Sequence, residues 1–166
     1  MKSFRDVQVL KVVYNAYIRS HLDYCSSICS PSSKYLIQKV ERVQRKFIKF
    51  MCFQTKQLYD SNDYIILCDQ FHLTTLEHRR TVRDLTVFYK ILHSKLDCPQ
   101  LVSALHLNIP ARRTRHTKTF TTVRKSRLVI RKNDFMPRTI SVANSVEKLD
   151  FFDRRLSKSC ISHLCM

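Results

Sequence analysis

Residues 33–53 read SKYLIQKVERVQRKFIKFMCF, an uninterrupted run with neither proline nor glycine. At about 100° per residue on a helical wheel, Leu36, Val40, Val43, Phe47, Phe50 and Met51 fall within an arc of about 100°. Such a stripe is expected to face a core. Lys39, Arg42, Arg45, Lys46 and Lys49 fall within an adjacent arc of about 120°. The segment therefore reads as a helix, from about Ser33 to Phe53, with a packing face and a cationic face.

The preceding CSPSS stretch (residues 29–33) interrupts helix, because Pro31 disfavours helix at the residue before it and the serines offer caps. Upstream, Val7, Leu10, Tyr14, Tyr17 and Ile18 recur at helical steps and predict a first helix over about Phe4 to Leu22. Downstream, a short helix is expected over about Leu58 to Gln70. Another begins at TTLE (residues 74–77), where Thr74 and Glu77 have capping-box spacing. It carries Val82, Leu85, Phe88, Tyr89 and Leu92 on one side and should end before Pro99. A further helix near Pro137 and one over about Asp153 to Leu164 close the chain.

The character changes after Asp97. Residues 98–133 contain no acidic residue, and residues 110–132, PARRTRHTKTFTTVRKSRLVIRK, carry nine Lys or Arg. KTFTTV and RLVI suggest short strands or an extended arm. The expected fold is mainly α: a small helical bundle of about four helices over residues 1–97, a basic linker or arm over 98–136, and C-terminal helices over 137–166.

Thirty Lys and Arg against thirteen Asp and Glu give a net charge of +17 over 166 residues. A compact state so charged repels itself unless an anion is bound, and RNA or DNA is the first partner to expect. With 44% hydrophobic residues the chain lacks the composition of a disordered protein. An anionic membrane surface or a larger ribonucleoprotein is the second class of partner such charge suits. But no run approaches the roughly 18 apolar residues of a membrane span, the N-terminal residues are too charged for a secretory signal, and no membrane partner is assigned.

The seven cysteines are odd in number, which favours reduced thiols over a disulfide framework. The absence of glycine removes the phosphate-binding loop, the dinucleotide fingerprint and the nucleophile elbow. His21, Cys25 and Cys29 share a helical face if the helix persists, but no second pair of ligands accompanies them. Buried free cysteine is the preferred reading over metal, and Tyr24, Phe47, Phe88 and Tyr89 are assigned to the core. No Cys/His catalytic signature or Asp-Asp pair is present, so neither catalytic residue nor cofactor is expected. Phosphate contact is assigned to the cationic helix face and to Arg112, Arg113, Arg115, Lys118, Arg124, Lys125 and Arg127, contacts that supply affinity with little sequence choice.

Residues 10–51, LKVVYNAYIRSHLDYCSSICSPSSKYLIQKVERVQRKFIKFM, resemble the segment that follows the reverse transcriptase domain in non-LTR retrotransposons of the Jockey and CR1 type. The likeness continues through LTTLEHRRTVRDLTVFYKILHSKLDCPQLVSALHLNIPARRTR (residues 73–115) and FMPRTISVANSVEKLDFF (residues 135–152). It rests on Arg19, His21, Tyr24, Pro31, Glu41, Arg42, Gln44, Arg45, Glu77, Arg79 and Arg80. It implies a thumb-like or post-thumb fragment of an RNA-directed DNA polymerase whose catalytic aspartates lie upstream of such a segment. The fragment is then not an enzyme on its own, and cytoplasm or nucleus is its implied location. Alternatives are a structural module packing on the polymerase core, or a decayed remnant. Cys29 stands where the family usually has Trp, Ala143 where it has Trp before Asn, and the family's turn glycines are missing, as in a diverging copy.

Overall fold

The computed structural model describes residues 6–60, 63–106 and 126–145. These are mainly α-helical, with no strand among them. The chain divides into two compact units, Met1–Arg80 and Thr81–Met166.

In the first unit, α1 (Val7–Val13) runs into a π-helical stretch, Tyr14–Arg19, and then α2 (Ser20–Asp23). Asp6 caps α1 by accepting from the Gln8 N–H at 2.9 Å. The π stretch adds residues to the turn and so rotates whatever follows it. Leu10 and Tyr14 face inward as expected, but the next inward residues are Arg19 and Asp23, at steps of five and four. Tyr17 and Ile18, assigned to the packing face by a regular helical period, are exposed as a result.

A turn then leads to α3 (Lys34–Thr55), close to its expected bounds. Cys25 adopts a left-handed conformation (φ 54°), and its carbonyl accepts from the Cys29 N–H at 2.8 Å. This geometry turns Ser26 inward and leaves Tyr24, Cys25 and Cys29 exposed, against the expectation of buried thiols and a core tyrosine.

The buried face of α3 consists of Glu41, Gln44, Ile48, Met51 and Cys52. It is rotated by about 100° from the stripe that apolarity alone selects. Leu36, Val43 and Phe50 are exposed, Val40 and Phe47 are half-buried, and only Met51 is fully inside. Phe47 stacks on Tyr14 at 3.9 Å between ring centroids.

α4 (Tyr64–Gln70) starts later than the sequence suggests and adds Tyr64, Leu67 and Cys68 to the core. Phe71 and Leu73 complete a cluster with Leu10, Tyr14, Ile48, Met51 and Cys52. α5 (Leu76–Leu92) opens in this unit and continues into the next. Its N-cap is Thr75, whose Oγ1 accepts from the His78 N–H at 3.3 Å. The cap is one residue later than the expected Thr74, which is held by other bonds.

In the second unit, Val82, Leu85, Phe88, Tyr89 and Leu92 of α5 pack with Phe135, Met136, Ile140, Val142 and Ala143 of α8 (Phe135–Ser145). Pro137 sits in the first turn of α8, where its missing N–H costs no bond. The Arg138 guanidinium reaches Asp84 at 2.9 Å and the Asn133 carbonyl at 3.0 Å. Two short helices, α6 (Pro99–Ser103) and α7 (Val129–Lys132), were not expected. RLVI, expected as a short strand or an extended arm, instead enters α7, whose end is closed by the Asn133 side chain donating to the Val129 carbonyl at 2.9 Å. KTFTTV and the helix expected after Asp153 lie outside the described residues.

Three helices end in the same way without a glycine. Lys56, His72 and Ser94 take φ of 57°, 50° and 53°. In each case the following N–H returns to the helix: Gln57 to Cys52 at 2.9 Å, Leu73 to Cys68 at 2.7 Å, and Lys95 to Lys90 at 2.8 Å. This is the Schellman closure, which glycine ordinarily supplies because a Cβ is disfavoured there. Lys56→Gly and Ser94→Gly should each stabilise the chain by about 1 kcal/mol, read as a raised denaturation midpoint. An unchanged or lowered midpoint for both would show that the strain is absent.

Candidate nucleic-acid interface and the buried network beneath it

The face of α3 is set by the polar groups it buries. Gln44, fully buried, accepts from the Tyr14 hydroxyl at 3.1 Å and donates to the Thr74 carbonyl at 3.0 Å. Glu41 accepts from the Tyr64 hydroxyl and, at 3.2 Å, from the Leu76 N–H. A carboxylate is thereby seated at the N-terminus of α5, where unpaired N–H groups and the helix dipole favour negative charge. Arg19 reaches Asn15 at 3.1 Å and Thr74 Oγ1 at 3.0 Å. Arg79 pairs with Asp23, and Arg80 donates to the Leu22 carbonyl at 3.3 Å.

This network has a structural chemistry. Burial pushes the Tyr14 phenol up to about 12, and burial together with the Glu41 carboxylate raises Tyr64 as well. Both stay protonated and donate. Burial likewise raises the Cys52 and Cys68 thiols, which disfavours the thiolate that nucleophilic or metal chemistry would require. Among the described residues, no group of three His, Cys, Asp or Glu is placed to hold a metal ion.

With Glu41 and Gln44 turned inward, the cations turn outward. Lys39, Arg42, Arg45, Lys46 and Lys49 are all exposed. Arg45 differs in lying against the core, its guanidinium 4.7 Å from the centroid of the buried Tyr64 ring. Lys39, Arg42, Lys46 and Lys49 have no ion-pair partner among the described residues. Arg127 is also exposed, next to α7, while Arg112, Arg113, Arg115, Lys118, Arg124 and Lys125 lie outside the described residues.

Two aromatic side chains that apolar spacing does not single out also lie on this face. Tyr35 is 64% exposed and Phe53 is 77% exposed, and both project within the arc of the four cations. The signal was available on the wheel: 18 residues are five complete turns, so positions 35 and 53 are in register with each other.

Two outcomes test this arrangement. Gln44→Ala strands the Tyr14 hydroxyl and the Thr74 carbonyl, and should cost about 2–4 kcal/mol in denaturant unfolding; a loss below about 0.5 kcal/mol would contradict the network. His78 supplies a pH signature. Its Nε2 is buried without a hydrogen-bond partner among the described residues, and burial, with Arg79 nearby, holds its pKa below the ordinary 6.5. The folded chain therefore binds fewer protons than the unfolded chain just below that value, so stability is complete above pH 6.5 and falls as pH drops through the histidine range. Thermal unfolding followed from about pH 8 to about pH 5 should show this fall, and His78→Gln should flatten it.

No protein-family model, curated protein or solved structure matches the chain.

Proposed function

We propose that the chain is a post-polymerase fragment of a non-LTR retrotransposon reverse transcriptase that binds RNA or DNA through phosphate contacts and does no polymerase chemistry itself. The observation that carries the binding reading is the row of Lys39, Arg42, Lys46 and Lys49, exposed along one side of α3 with no ion-pair partner among the described residues. A row of this kind in a chain of net charge +17 binds polyanions by releasing their counterions. The family assignment rests on the sequence resemblance. The cytoplasm or the nucleus fits this reading, and no described helix is long and apolar enough to cross a membrane.

A second reading is favoured by a different observation. Leu36, Val43 and Phe50 form an exposed apolar row on α3, suited to packing against a polymerase core as a structural module. The two readings use different sides of the same helix and are separable by mutation.

Arg42→Gln, Lys46→Gln and Lys49→Gln combined should weaken binding to a mixed-sequence oligonucleotide and make the log–log salt slope shallower by about 2 to 3. Arg45 is left in place because of its contact with Tyr64. Helical circular dichroism should be unchanged; retained affinity and slope, or a collapse of helicity, would each contradict the proposal.

A further inference from the structure

The cations of α3 do not stand alone. Tyr35, Lys39, Arg42, Lys46, Lys49 and Phe53 follow one another at steps of four, three, four, three and four, which keeps all six within about 80° of the helix circumference. The result is a straight strip about 27 Å long, with an aromatic side chain at each end and four cations between. Lys39 Nζ already lies 5.7 Å from the centroid of the Tyr35 ring, so the strip's first cation and first ring share one patch of surface.

A solvated charged face accounts for the four cations but not for Tyr35 and Phe53, which are left largely in water on a helix that buries Ile48 and Met51 completely. A duplex accounts for them no better, since its base faces are stacked inside and offer a helix surface only phosphates and groove edges. A strand with unpaired bases matches both parts. Its phosphates neutralise the cations, while its bases present flat faces that stack on aromatic rings regardless of sequence.

We infer that this strip is a single-strand site, holding phosphates along Lys39, Arg42, Lys46 and Lys49 and an unpaired base against each of Tyr35 and Phe53. The inference rests on the proposed phosphate binding and adds to it the strandedness of the ligand. RNA and DNA share the chemistry, because neither stacking nor phosphate contact requires the 2′-hydroxyl.

The test uses the full chain and an oligonucleotide of about 12 residues carrying a fluorescent purine near each end, as ribose and deoxyribose versions, alone and annealed to its complement. Tyr35→Ala and Phe53→Ala should each weaken single-strand binding by about tenfold and remove quenching of the adjacent purine, leaving duplex affinity and the salt slope unaltered. Tyr35→Trp and Phe53→Trp should retain binding and quenching. Both side chains are exposed, so a loss of helicity is not expected, and circular dichroism checks it. Equal losses on single strand and duplex, or no loss on either, would overturn the inference while leaving phosphate binding intact. Absence of salt-dependent binding to any of the four nucleic acids would overturn the phosphate reading itself. Binding that depends on Tyr35 and Phe53 with anionic phospholipid vesicles or polyglutamate, but not with oligonucleotides, would assign the strip to a different partner.

Discussion

The orientation of α3 depends on two buried side chains, Glu41 and Gln44. An unpaired polar group inside a protein costs about 1–3 kcal/mol, comparable to what is gained by burying one Ile or Met. Turning the apolar row of α3 inward would expose Ile48 and strand the groups that Gln44 and Glu41 satisfy: the Tyr14 and Tyr64 hydroxyls, the Thr74 carbonyl and the Leu76 N–H. The helix rolls instead so that both polar residues are bonded. The position of the cationic strip follows from that roll.

The same network joins segments distant in sequence. Arg19 and Asp23 come from the end of the first helical run, Glu41 and Gln44 from the middle of α3, and Arg79 and Arg80 from the first turns of α5. Five of the residues that carry the resemblance to retrotransposon segments, Arg19, Glu41, Gln44, Arg79 and Arg80, are thus accounted for by hydrogen bonds within the first unit. None of these five belongs to the cationic strip. The buried hydrogen bonds and the exposed cations are thus carried by different residues, and among the strip's residues Arg42 alone figures in that resemblance.

Helices were legible in the sequence because proline, serine caps and helical spacing act locally. The bounds of α3 and the inward side of α5 came from such signals alone. Which side of α3 packs was not legible, since apolar spacing points to Leu36, Val43 and Phe50, and only tertiary partners make burial of Glu41 and Gln44 favourable. The π-helical stretch was equally hidden: nothing in YNAYIR announces an extra residue per turn, and its effect was to exchange Tyr17 and Ile18 for Arg19 on the inner side. The Schellman ends at Lys56, His72 and Ser94 escaped notice because their usual signal is a glycine, and the chain has none. The cations are legible by spacing, whereas Tyr35 and Phe53 share their arc but, as aromatics within a helical run, read first as core residues.

Lysine-reactivity footprinting tests the central claim, that the outward cations of α3 contact phosphate, most directly. The full chain is acylated with and without saturating oligonucleotide and each lysine is read by mass spectrometry. Protection concentrated at Lys39, Lys46 and Lys49, with Lys34, Lys56 and Lys95 still reactive, is the predicted result. Uniform protection, or protection that spares Lys39, Lys46 and Lys49, would contradict it.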